Sequence, residues 1–199
     1  ILGGAATFIG LAASQYRVVP GIVSVVGEDF PSKYLELFRE KKINIDGLEM
    51  VEGGKTFFWS GKYALDLNKR ETLLTELNVL ADFNPVVPED FRDADVVMLG
   101  NLHPDIQIQV LQQLDSSPKL TVLDTMNYWM EHTWDSLLNV IGEVDVITIN
   151  DEEARQLTGE YSLSSILENL AGEIIRDVPG IVSVTYNIAP KPPSTIEAV

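Results

Sequence analysis

Three short apolar runs in this chain each end in side chains that can hold a polar ligand. Gly100-Asn101 and His103 follow Leu99, Asp124 and Asn127 follow Leu123, and Asn150 and Glu153 follow Ile149. The chemistry on offer is hydrogen bonding by amides and carboxylates. In open α/β sheets ligands bind beyond the carboxyl ends of the strands, so neighbouring strands would converge these groups into one site. Each group also has a structural use. Asn150 with Glu153 has the spacing of a helix capping box, and Asp124 and Asn127 are turn formers or caps. His103, between Leu102 and Pro104, reads as a loop histidine. The chain has no Walker A, G-x-G-x-x-G or G-x-S-x-G segment and no histidine pair at metal-ligand spacing. No single local motif carries catalysis.

The elements that must position these residues follow from periodicity. After Gly3-Gly4, residues Ala5–Gln15 read as a helix of small and apolar residues, followed by a strand over Gly21–Val26. "PSKYLELFREKK", Pro31–Lys42, has helical spacing, with Tyr34, Leu35 and Phe38 on one face. A strand over Ile43–Val51 precedes a hairpin, Lys55–Tyr63 and Glu71–Val79, joined by "ALDLNKR". Period-two alternation puts Phe57, Trp59 and Tyr63 on one hairpin face. That face packs on the protein's own core, covers a ligand as a lid, or meets a second copy.

Strands over Asp95–Leu99, Leu120–Leu123 and Val144–Ile149 then alternate with helices Asp105–Leu114, helical segments through Val140, and Asp151–Thr158. Such alternation predicts an α/β fold with a parallel sheet and right-handed crossovers. A helix over Ser162–Arg176, a strand over Ile181–Tyr186 and a proline-rich extended tail complete the expectation.

Composition narrows the class. A net charge of −16 argues against nucleic acid and against anionic membranes as partners. The absence of cysteine removes disulfides, thiolate metal sites and cysteine nucleophiles. No apolar run is long enough to cross a bilayer. The opening "ILGGAATFIGLAAS" lacks a basic flank and reads as a buried glycine-led helix rather than a signal peptide, which places the expected location in the cytoplasm. The chain starts at Ile1 rather than Met and is expected to be a piece of something longer.

In order along the chain, "LGGAATFIGLAAS", "VSVVGEDFP", "GGKTFFWSGKY", "LGNLHP", "DTMNYW" and "INDEEARQLTGE" occur. Together they resemble the amino-terminal half of PfkB-type (ribokinase-like) carbohydrate and nucleoside kinases, over about residues 1–160. The resemblance implies a Rossmann-like αβα sandwich, truncated here, with a small β-hairpin lid over about residues 52–80. It implies transfer of the ATP γ-phosphoryl group to a hydroxyl of a small sugar or nucleoside, with magnesium. Gly3, Gly4, Phe57, Trp59, Asn101, Asp124 and Asn127 would then face the substrate, and Asn150 and Glu153 match an N-x-x-E motif for magnesium and phosphate. The chain lacks the family's first strand and its G-A-G-D segment, which supplies the anion hole and the base. The expectation is therefore a partial kinase that is inactive as this chain.

The end differs. "AGEIIRDVPGIVSVTYNIAPKPPSTIE", Ala171–Glu197, resembles the carboxyl terminus of GMP synthase, where Lys191, Thr195 and Glu197 match a segment that helps bind xanthosine monophosphate in a dimerisation domain. On this reading residues 161–199 form a short α+β tail. The alternatives are a truncated, non-catalytic binding or dimerisation module, or a chimera joined near residues 161–170 with neither activity intact. A homodimer through the lid or the tail is compatible with each. "VPGIVSV" occurs at Val19–Val25 and Val178–Val184, in these two different settings, so a repeat architecture is not expected.

Overall fold

The computed structural model describes residues 2–63 and 70–159, together with Ser162 and Gly172. The expected helix over Ser162–Arg176, the strand over Ile181–Tyr186 and the tail with Lys191, Thr195 and Glu197 lie outside the described residues. The chain divides into two compact units, one running up to Pro88 and one starting at Glu89.

The first unit contains α1 (Ala5–Ala13), β1 (Gly21–Gly27), α2 (Ser32–Glu40), β2 (Asn44–Val51), β3 (Phe58–Tyr63) and β4 (Arg70–Glu76). Strands β1 and β2 pair in parallel, with α2 as their connection. Phe38, on the apolar face expected of α2, is buried with Ile22 and Ile43, against Leu2, Ala6, Leu11, Phe30 and Ile45. Helix α1 stops at Ala13 rather than Gln15. Ser14 Oγ donates to the Leu11 carbonyl at 2.8 Å, a local bond that competes with another helical turn.

The hairpin departs from simple alternation. Strand β3 begins at Phe58, leaving Phe57 outside it, and the register with β4 shifts between Ser60 and Gly61. The extra residue is Leu73 on β4, and on β3 the Trp59 indole lies where a Cβ on Gly61 would sit, so position 61 needs a glycine. Positions 59 and 63 keep period-two spacing within β3, and Phe57 alone falls outside the strand. Phe57, Phe58, Leu73, Leu74 and Leu77 are all exposed.

The second unit is regular. Strands β5 (Val96–Leu99), β6 (Leu120–Asp124) and β7 (Val146–Thr148) form a parallel sheet in the order β5-β6-β7. Helix α3 (Pro104–Leu111) connects the first pair, and α4 (Asn127–His132) with α5 (Trp134–Ile141) the second; α6 (Asp151–Thr158) follows β7. This is the α/β alternation that the sequence predicts. The core joins Leu99, Leu123 and Ile147 of the strands to Met130, Leu137, Val140 and Ile141 of the helices. Leu123 and Leu137 are 0 % exposed, and burying such a side chain contributes about 1.5–3 kcal/mol.

Candidate functional site

Because β5, β6 and β7 are parallel neighbours, their carboxyl ends lie side by side, and the three groups of polar residues share one edge of the second unit. Asn101 is bound to the loop after β6: the Trp129 indole Nε1–H donates to Asn101 Oδ1 at 2.8 Å. An indole can only donate, so this bond fixes the Asn101 amide with its oxygen toward Trp129. Asp124 closes β6, and its main-chain carbonyl accepts from Gln107 Nε2 at 3.3 Å. The same nitrogen donates to the Gly100 carbonyl at 2.8 Å.

Asn127 corrects the sequence reading. It is not a cap, since Met126 holds the N-cap position of α4 and Asn127 is the first helical residue. Its Nδ2 donates to Gln156 Oε1 on α6 at 2.5 Å, and Gln156 Nε2 reaches Glu131 Oε1 at 3.1 Å. These contacts tie the β6 exit to the helix that follows β7. His103 is more than a loop residue: its Nδ1 accepts from Asp105 N at 3.2 Å and caps α3. Its ring also meets Trp129 edge-on, with centroids 5.2 Å apart.

At the β7 exit the capping box is complete. Asn150 Oδ1 accepts from Glu152 N and Glu153 N, both at 2.9 Å, and Glu153 Oε2 accepts from Asn150 N at 2.8 Å. Glu153 is buried at 8 % exposure, its charge held at the N-terminus of α6, where the helix dipole favours an anion. Among the described residues no cluster of three or more histidines and carboxylates could hold a metal ion directly. A single carboxylate of this kind suits water-mediated contact with a hydrated cation rather than direct multidentate ligation.

In the first unit, Gly4 has φ +94°, and a Cβ there would meet nothing within 4 Å. Glycine is needed for the backbone angle that starts α1, not for space. Sequence reasoning missed a second junction. Thr56, between the double glycine Gly53-Gly54 and the hairpin, donates from N and from Oγ1 to Asp29 Oδ1, both at 2.7 Å, and its Oγ1 accepts from Gly27 N at 3.0 Å. These bonds hold the Asp29 carboxyl below its ordinary pKa, with the Thr56 hydroxyl as the largest cause. The first hairpin residues are thus fastened to the exit of β1. Phe57 is 38 % exposed, and Trp59 Nε1 donates to Thr72 Oγ1 at 3.3 Å across the hairpin.

Gln107, Trp129 and Gln156 were also missed. No local signal marks Gln107, because its partners are main-chain carbonyls at two strand ends; the residue lies on the inward face of α3 and is 3 % exposed. None of the described helices is long and apolar enough to cross a membrane.

Comparison with known proteins follows the same architecture. The nucleoside kinase of Methanocaldococcus jannaschii, an archaeal member of the ribokinase family, is 20% identical, with a TM-score of 0.62 over 83% of this chain and 55% of that one. The Burkholderia thailandensis nucleoside kinase, solved with inosine, is 15% identical, with a TM-score of 0.63 over 83% of this chain and 56% of its own. The fructokinase of Halothermothrix orenii is 16% identical, with a TM-score of 0.67 over 92% of this chain and 66% of its own. At these identities the likeness establishes the fold, and the chain spans little more than half the length of the two nucleoside kinases. A comparison with curated proteins finds no match. The sequence pattern of the pfkB family carbohydrate kinases matches residues 2–178, most of the 199-residue chain and past the 161–170 stretch, and the chain belongs to that family.

Proposed function

We propose that this chain is the acceptor-binding portion of an ATP-dependent kinase that phosphorylates a hydroxyl group of a small sugar or nucleoside. The observation that carries this reading is the family match over residues 2–178. The parallel strand ends bearing Asn101, Asp124, Asn127, Asn150 and Glu153 support it. The solved relatives include a nucleoside kinase with inosine and a fructokinase, so the acceptor class is a ribose- or hexose-like polyol.

The roles rest on the family resemblance, together with the side-chain bonds at the strand ends. Asn101, its oxygen committed to Trp129, offers its Nδ2 donor to a hydroxyl oxygen. Asp124 accepts from a hydroxyl proton. By the resemblance, Gly3 and Gly4 belong to a backbone segment suited to close approach of a ligand, and Phe57 and Trp59 to a lid. ATP supplies the phosphoryl group when bound. Glu153 would hold magnesium through the water of its hydration shell, and the Asn150 main-chain N–H, donating to Glu153 Oε2, keeps that carboxylate in place.

These 199 residues contain no G-A-G-D segment. Phosphoryl transfer rests on positioning and charge stabilisation, so these residues by themselves are expected to bind an acceptor without turning it over. The test incubates the chain with magnesium-ATP and ribose, fructose or inosine, following ADP release and the melting temperature. A rise in melting temperature with one acceptor and no ADP is the expected result. No shift with any acceptor would count against the binding role, and ADP release above that of Glu153→Ala would overturn the inactivity. The resemblance of residues 171–197 to the GMP synthase terminus stays a second reading, carried by Lys191, Thr195 and Glu197, and predicts a separate shift with xanthosine monophosphate.

A further inference from the structure

The last paired residues of β5 and β6 are Leu99 and Leu123. One position further, Gly100 stands beside Asp124, and there the ladder has ended. Gln107 takes over at that point. Its Nε2 donates to both carbonyls, Gly100 at 2.8 Å and Asp124 at 3.3 Å. Two carbonyl acceptors admit only the NH2 end of the amide, which settles its orientation. We propose that Gln107 is a positioning residue that sets the spacing of the two strand exits carrying Asn101 and Asp124. This rests on the reading of those exits as the acceptor-binding edge.

Two further observations point the same way. Gln107 is 3 % exposed, yet its Oε1 is buried without a hydrogen-bond partner, and the Thr125 hydroxyl beside Asp124 is in the same condition at 4 % exposure. A buried oxygen without a partner is costly, and an apolar side chain of similar volume would avoid that cost. What the amide provides instead is its grip on two chains. The grip also closes a ring. Gln107 joins residue 100 to residue 124, and Trp129 joins residue 129 back to Asn101 at 2.8 Å. Opening the ring at Gln107 should loosen the bond at its other side, and with it the orientation of the Asn101 amide.

Nitrogen-15 NMR on the full 199-residue chain tests this. In the unsubstituted protein the Gln107 side-chain NH2 should give two separate, slowly exchanging resonances; rapid exchange there overturns the proposal without any variant. In Gln107→Met the Trp129 indole proton should exchange about tenfold faster, as loss of one amide clamp implies. The Trp134 indole and the far-UV circular dichroism should not change. Thr125→Val should leave the Trp129 indole unaltered, since that hydroxyl grips nothing. Equal Trp129 exchange in Gln107→Met and the parent overturns the proposal.

Ribose, fructose and inosine are then titrated against each protein. Whichever binds the parent should bind Gln107→Met about tenfold more weakly. Equal affinity overturns the positioning role, even if the indole has loosened. If none binds the parent, the acceptor-binding reading fails, while the two exchange measurements still decide whether Gln107 clamps the strand exits.

Discussion

Asn150 and Glu153 satisfy each other across the first turn of α6: the Asn150 amide oxygen caps Glu153 N at 2.9 Å, and the Glu153 carboxylate caps Asn150 N at 2.8 Å. The pair is therefore a structural device whatever else it does. The two roles separate by substitution. Asn150→Ala removes the N-cap and should cost about 1 kcal/mol in urea denaturation. Glu153→Gln keeps an acceptor in the capping box and should cost less than half of that, but it removes the charge. If Glu153 serves magnesium, the stabilisation by magnesium-ATP disappears in Glu153→Gln at nearly unchanged parent stability. Retention of that stabilisation would leave only the cap.

The Asp29–Thr56 junction makes stability depend on pH. Asp29 has a depressed folded pKa, so its contribution is fully present above the ordinary carboxyl value of 3.8 and is lost as pH falls through the folded value. Asp29→Asn should melt below the parent at neutral pH, and the gap should narrow in strongly acidic buffer. A gap that stays constant down to about pH 2 would remove the carboxylate from the account.

Thr56→Val tests the same junction without a charge. It removes the hydroxyl that accepts from Gly27 N and donates to Asp29, two contacts of 3.0 and 2.7 Å. The expected loss is about 1–2 kcal/mol, from one bond to a charged group and one backbone donor left unpaired. Chemical denaturation of the single variant and of Thr56→Val with Asp29→Asn measures their coupling. Strict additivity would contradict the contact.

Gly27→Ala should be among the most damaging small changes in the first unit. A Cβ on Gly27 would fall 2.5 Å from the Lys55 carbonyl carbon and 2.6 Å from that of Gly54, and backbone there cannot yield cheaply. Overpacking of this kind costs about 1–3 kcal/mol. Gly142→Ala, whose nearest neighbour would be 3.5 Å away, is the matched control and should be close to neutral. Urea midpoints for the two variants decide it.

The hairpin exposes Phe58 and Leu74 at 48% each, with Leu73 at 59% and Leu77 at 52%. Clustered apolar exposure of this kind favours association with a second surface. Light scattering should show concentration-dependent self-association that falls in the double variant Phe58→Ser, Leu74→Ser. A monomer at every concentration would remove the hairpin as an association surface.

Much of the fold was legible because it depends on near neighbours in sequence. Tyr34, Leu35 and Phe38 declare a helix face by spacing alone, and Asn150 with Glu153 declares a cap, because cap geometry is set within one turn. Element ends were less legible. Whether α1 stops at Ala13 or Gln15 turns on one Ser14 bond to Leu11, and spacing does not encode it. The aromatic stripe on the hairpin was legible only in part: period-two spacing holds for positions 59 and 63 within β3, but it does not reveal that Phe57 falls outside the strand or that β4 carries an extra residue at Leu73.

The sequence by itself determined the class of the protein, its run of elements and the polar residues that end three of its strands. Apolar periodicity and turn chemistry act over a few residues and can be read in one dimension. Only the tertiary structure decided which of those polar groups share partners. Gln107 lies seven residues from Gly100 and seventeen from Asp124, and Trp129 lies twenty-eight from Asn101. No local pattern specifies bonds of that range. They exist because parallel pairing brings the ends of β5 and β6 side by side, where buried carbonyls must find donors.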